Sequence, residues 1–255
     1  MSQRSSLSSS PARLLLSALL AVALCGCQTI GLEDVTGALG SKPEKNREAK
    51  PDLDALRERY RANANDPETA LQYGKALRES GQRAQAVAVL EQAVLAHSGN
   101  RVLLAAYGRA LADNGNFQQA FEVLSRAHTP EDPDWHILSA QGAVLDQLGR
   151  NEEAQQYYGS ALKIMPDEPS VLSNLGLSYM LQNNLPKAEE TLRRAHARSP
   201  SDPRVRANLA LAVGLQGRQS EAESIVKADL PPDEAQAKIT TLRQLLARKQ
   251  QRAEK

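Results

Sequence analysis

Residues 135–168, WHILSAQGAVLDQLGRNEEAQQYYGSALKIMPDE, run without a gap into residues 169–202, PSVLSNLGLSYMLQNNLPKAEETLRRAHARSPSD. The two segments carry small residues at matching places: Gly142 and Gly176, Gly149 and Asn183, Ala154 and Ala188, Ala161 and Ala195. The offset is 34 residues each time, and it continues outward in both directions. Gly74, Gly108, Gly142, Gly176 and Ala210 form one series, and Gly81, Gly115, Gly149, Asn183 and Gly217 a second. Ala86, Ala120, Ala154, Ala188 and Ala222 form a third, and Ala93, Ala127, Ala161 and Ala195 a fourth. Four independent series with one period mark a tandem repeat whose units bury their apolar faces by stacking on one another. The units run 67–100, 101–134, 135–168, 169–202 and 203–232.

Local chemistry makes each unit a pair of helices. The first small residue lets two helices approach closely, and the glycine near mid-unit ends the first helix in a left-handed cap. Asp66-Pro67 and Asp202-Pro203 supply an N-cap with proline at the first helical position, Glu168-Pro169 is a weaker version, and Pro186 fits a first turn. Pro130 falls where the last turn of the second unit should be, which predicts that this helix ends early. Aromatics are only 4% of the chain, as expected of helices packed through Ala and Leu. Residues 51–66 place Leu53, Leu56 and Tyr60 on one helical face, an N-terminal cap for the stack. Leu230-Pro231-Pro232 then breaks the chain, and residues 233–255 give a capping helix with Ala237, Leu242, Leu245 and Leu246, ending in a basic tail.

The pattern Tyr73-Gly74…Leu77, Ala86…Leu90, Ala93 in the first unit recurs as Gly142…Leu145, Ala154…Tyr158, Ala161, Pro166 in the third. The fourth reads Leu175-Gly176…Tyr179, Ala188…Leu192, Ala195, Pro200. This resembles the tetratricopeptide repeat (TPR) family. The resemblance implies an all-α solenoid, a right-handed superhelix of antiparallel helix pairs with five repeats between capping helices, that binds proteins. It also implies a groove lined by the first helix of each unit. On these positions the candidate partner-binding residues are Lys75, Arg78, Arg109, Asn174, Leu177, Met180, Arg204, Asn208 and Leu211, with His136, Ser139 and Asp146 between the halves. The asparagines would meet a peptide backbone and the leucines and Met180 would supply apolar pockets, so the C-terminal half is the expected partner site. The carboxylate clamp of chaperone adaptors is not reproduced, since Ala143 and Asn208 stand where it needs a polar and a basic side chain.

The N-terminus reads as an address. Residues 1–26 hold Arg4 and Arg13, no acidic residue and a short apolar run from Leu14 to Leu24, too short to span a bilayer. Leu24-Cys25-Gly26-Cys27 resembles a lipoprotein cleavage box, with an aliphatic residue at −3 and a small one at −1. The resemblance implies lipid attachment at Cys27 rather than Cys25, and Gln28 after it favours the outer membrane of a bacterium, facing the periplasm. Residues 27–50 read as a flexible tether. Formal net charge is +1, which gives no global field for nucleic acid. The two cysteines sit together, so they cannot form a disulfide framework.

No phosphate loop, nucleophile elbow or zinc-binding pattern occurs, so no catalytic residue, metal or cofactor is expected. His128 and His196 hold one repeat position two units apart, too distant to share an ion. The last third is more particular. Asn174-Leu175-Gly176-Leu177-Ser178-Tyr179, the pair Arg204 and Arg206, Gly214-Leu215-Gln216-Gly217-Arg218 and Ala228-Asp229-Leu230-Pro231-Pro232 resemble the TadD family, repeat lipoproteins of tight-adherence (Flp-type) pilus assembly. That likeness implies a non-enzymatic scaffold that helps pilus or secretion components, such as a secretin, to assemble or localise. An adaptor for cell-wall hydrolases and an outer-membrane protein assembly factor share the same anchor and solenoid, and only the client separates the three.

Overall fold

A computed structural model describes residues 52–228 and 230–253; Cys27, the signal sequence and the tether lie outside them. Twelve helices occupy the described residues: α1 Leu53–Ala62, α2 Pro67–Glu79, α3 Arg83–Ala96, α4 Arg101–Asp113, α5 Phe117–Ser125, α6 Trp135–Gln147, α7 Asn151–Ile164, α8 Pro169–Leu181, α9 Leu185–Arg198, α10 Pro203–Leu215, α11 Gln219–Lys227 and α12 Pro232–Ala253. They form a solenoid of five helix pairs, α2/α3 to α10/α11, each packed against the next. All five first helices are 13 residues long, and each starts 34 residues after the one before.

The starts follow from side-chain capping. Asp66 accepts from the Thr69 amide, Asp202 from Arg204 and Val205, and Glu168 from Ser170, each just before a proline. The stops are left-handed. Gly81, Gly115, Gly149 and Gly217 have φ between 75° and 85°, and Asn183 takes the same conformation at 58°. Within each pair the small residue of the first series is where the helices touch. A Cβ on Gly142 would lie 2.7 Å from Tyr158 Cε1, and one on Gly176 would lie 2.5 Å from Leu192 Cγ. The side chains that fill these contacts, Leu90, Leu124, Tyr158 and Leu192, are all fully buried. Burying each contributes about 1.5–3 kcal/mol, enough to make this seam the backbone of the core.

The array is irregular at one internal junction. The second helices of the first, third and fourth pairs have 14 residues, but α5 has nine and stops at Ser125. The connection to α6 contains Pro130 and Pro133 and turns back on itself through a single bridge between Thr129 and Asp132. Both end faces are covered. Tyr60 of α1 sits 5.4 Å from the Tyr73 ring, and α12 buries Ala235, Ile239, Leu242 and Leu246. Ala237, expected in the apolar stripe, is exposed: the buried residues recur at i, i+4, i+7 and i+11, and Ala237 falls between them.

Candidate functional site

Consecutive first helices (α2, α4, α6, α8, α10) touch one another, and no comparable contact joins consecutive second helices among the described residues. The stack therefore curves toward the first helices, which line its inner face. Its two halves differ in chemistry.

In the N-terminal half, Lys75 is exposed. Arg78 Nε donates to Asp113 Oδ2 across one repeat at 2.6 Å, with both side chains about a quarter to a third exposed. Arg109 is half-buried, and its guanidinium makes no hydrogen bond or ion pair among the described residues. Burial and the neighbouring Arg78 both pull its pKa below the usual guanidinium value. The two nearby carboxylates are committed elsewhere. Asp113 holds Arg78, and Asp134 caps α6, accepting from the His136 amide at 2.7 Å. Burial opposes ionisation of Asp134, but the hydrogen bonds from His136 outweigh it and hold its pKa low.

The C-terminal half is internally satisfied, contrary to the expectation of an open, apolar, amide-bearing groove. Leu177, Met180 and Leu211 are 6–7% exposed and share one apolar cluster with Ile239, Leu242 and Leu246 of α12. Leu211 lies on α10, against which the capping helix packs, and Leu177 and Met180 of α8 are buried in the same cluster, so none of the three supplies an open pocket. Asn208 is 3% exposed and donates to Ser173 Oγ at 2.8 Å; Asn174 donates to Ser139 Oγ at 3.2 Å. Each bond joins consecutive first helices and spends the amide inside the chain. Arg204 is exposed on the first turn of α10.

Asp146, expected to face the groove, is buried. It accepts from Asn151 Nδ2 at 2.7 Å, the Tyr158 hydroxyl at 3.0 Å and Ser178 Oγ at 2.7 Å, which ties α6 to α7 and α8. Burial raises its pKa despite these three donors, and burial beside Asp146 drives the Tyr158 phenol well above its usual value. Three polar residues at positions that are mostly apolar or small in the other units were the available sign of this network. Tyr158 stands where others have Leu or Val, Ser178 where others have Ala or Val, and Asp146 where others have Ala, Met, Gly or, in the first unit, Arg78. His128 bonds to Gln141 and His97 to the Asn65 carbonyl, so both serve local structure. Among the described residues no group of three or more His, Cys, Asp or Glu side chains is placed to hold a metal ion.

A curved stack of helix pairs with a half-charged inner face belongs to the class of helical-repeat interaction proteins. Residues 77–142 and 147–212 match the tetratricopeptide repeat family, more than half of the chain, and the chain belongs to that family. Proteins of this family generally act as protein-binding scaffolds, and their fold is typically non-catalytic. Among solved structures, TTC0263, a thermophilic TPR protein of Thermus thermophilus, aligns at TM-score 0.60 and 22% identity, over 69% of this chain and 99% of its own. MamA from Desulfovibrio magneticus RS-1 aligns at 0.51 and 18% identity, over 70% of this chain and 95% of its own. The Cut9–Hcn1 hetero-tetramer of the APC/C aligns at 0.61 and 16% identity, over 69% of this chain and 35% of that one. These likenesses carry the fold. No curated protein matches the chain by sequence.

Proposed function

We propose that this protein is a lipid-anchored, non-catalytic scaffold that supports assembly or localisation of a tight-adherence pilus secretion machine, with its secretin as a candidate client. The observation that carries this reading is the set of residues in the last third that a generic repeat does not demand: Arg204 with Arg206, the string Gly214 to Arg218, and the exit Ala228 to Pro232. The anchor is Cys27, and the protein is exported to the outer membrane, facing the periplasm. Several acyl chains on one cysteine hold a protein firmly, since each buried methylene contributes about 0.8 kcal/mol.

Crosslinking the full-length protein in cells, with Cys27 intact, and identifying what is recovered tests the client. Secretin or other pilus components are expected. Recovery of cell-wall hydrolases, or of outer-membrane assembly proteins, with no pilus component would overturn the pilus reading. Cys27→Ser is expected to move the protein from the membrane to the soluble fraction; unchanged fractionation refutes the anchor.

A further inference from the structure

Arg109 differs from the other cations of the inner face. Lys75 is exposed to water and Arg78 holds Asp113, whereas Arg109 is half-buried with no carboxylate at ion-pair distance among the described residues. Asp113 and Asp134 act on it only from beyond ion-pair distance, so this half-buried guanidinium has given up water contacts without a direct anion and is a prepared site for one. Ala112, three residues on along α4, and Ala143, at the same repeat position on α6, carry no long side chain that could fill the approach. The inner contact between α4 and α6 is the thinnest between consecutive first helices, at the same junction where α5 is short. Seven residues before Arg109, on the same side of α4, Val102 is 59% exposed. Two helical turns separate them, about 10 Å along the axis. An extended chain rising about 3.3 Å per residue covers that distance in three residues.

We propose that this junction docks an extended peptide bearing a carboxylate side chain three positions from an apolar one, the carboxylate on Arg109 and the apolar group on Val102. The inference rests on reading the inner face as the partner surface. Charge complementarity selects the occupant: the planar guanidinium takes a carboxylate through two parallel N–H···O bonds, and Lys75, exposed at the same position of the preceding unit, carries a second positive charge on this face. In the C-terminal half the amides and Leu177, Met180 and Leu211 are satisfied within the chain, while Leu181 (46% exposed) and Arg204 both lie in water, so no half-buried guanidinium stands beside an apolar contact there in the way Arg109 does beside Val102.

The test uses the full-length protein and fluorescein-labelled nine-residue peptides of Gly and Ser carrying one Leu and one Glu at offsets of one to five, with Gln counterparts. Fluorescence anisotropy is expected to show tightest binding at an offset of three, at least tenfold weaker binding for the Gln counterpart, and weakening in high salt. Arg109→Gln should weaken the Glu peptide at least tenfold while leaving the Gln peptide unchanged, and Arg109→Lys should retain part of the binding. Circular dichroism melting of each variant reports whether it is folded. Equal binding of Glu and Gln peptides, or no effect of Arg109→Gln in a folded variant, overturns the proposal. If neutral peptides still bind and Val102→Glu abolishes that binding, the groove reading survives and Arg109 does not; if no peptide binds at all, both fail.

Discussion

Gly142→Ala tests whether the repeat period is a packing constraint. The new methyl would sit 2.7 Å from Tyr158 Cε1 and 2.9 Å from Cζ, well inside contact distance. The ring cannot swing aside cheaply, because Tyr158 is 1% exposed and its hydroxyl is held by Asp146 at 3.0 Å. Overpacking of this kind costs about 1–3 kcal/mol, and a strained Tyr158–Asp146 bond adds about 1 kcal/mol. Alanine returns up to about 1 kcal/mol of helix propensity. The balance is a loss of about 2 kcal/mol, a fall of roughly 4–8 °C in Tm. Gly159→Ala in α7 is the control, since nothing lies within 4 Å of its Cβ position and the helix gains about 0.5–1 kcal/mol. Urea unfolding followed by far-UV circular dichroism should separate the two variants by roughly 3 kcal/mol with opposite signs. Gly176→Ala should cost less than Gly142→Ala, because Leu192 is branched but not hydrogen-bonded in place. A Gly142→Ala protein as stable as the parent would refute the close-approach account of the 34-residue period.

Asp146→Leu should cost about 2–4 kcal/mol, because it leaves the buried Tyr158 and Ser178 hydroxyls without their acceptor, whereas Asp146→Asn should cost less than about 1 kcal/mol in urea unfolding. The raised Asp146 pKa means the folded state holds its proton to higher pH than the unfolded state. Its stabilising effect is thus full below the unfolded carboxylate pKa and is lost as pH rises through the folded value, so the parent's stability relative to Asp146→Asn should fall across that window. Asn208→Ala strands the buried Ser173 hydroxyl and should cost about 1–2 kcal/mol, more than Asn174→Ala, which removes a longer bond (3.2 Å against 2.8 Å) made by a less buried amide. Asp202→Ala removes the cap of α10 and should cost about 1 kcal/mol, measured the same way.

The fold was legible because its cause is written at fixed intervals. Gly142 and Gly176 are small for a physical reason, the approach of Tyr158 and Leu192, and Gly149 and Asn183 end helices in a conformation few residues adopt. Pro130 likewise announced the short α5. The groove was less legible, because a repeat position does not specify what lies opposite it. Leu177, Met180 and Leu211 occupy inner-face positions, yet all three are buried in one cluster, and how far neighbouring helices cover such a position is set by packing between units, which the repeat position alone does not specify. The asparagine contacts were half visible: Ser139 and Asn174, and Ser173 and Asn208, are each separated by one repeat plus one residue, the offset that brings neighbouring first helices together. Arg109 was placed on the groove from its position alone, but that Asp113 and Asp134 both turn to other donors emerges only in three dimensions.

The two amide-to-hydroxyl bonds along the inner face have a mechanical consequence. A hydrogen bond has a set length and direction, so each works as a strut that fixes the spacing of two neighbouring helices on the inside of the curve. Between α4 and α6 no such strut spans the inner face among the described residues; there the brace lies on the α5 side, where Gln141 of α6 donates to Ser125 Oγ and bonds to His128. The third to fifth pairs are therefore pinned along the inside of the curve and the second-to-third junction along its outside, so the inner face is least tied together where Arg109 stands.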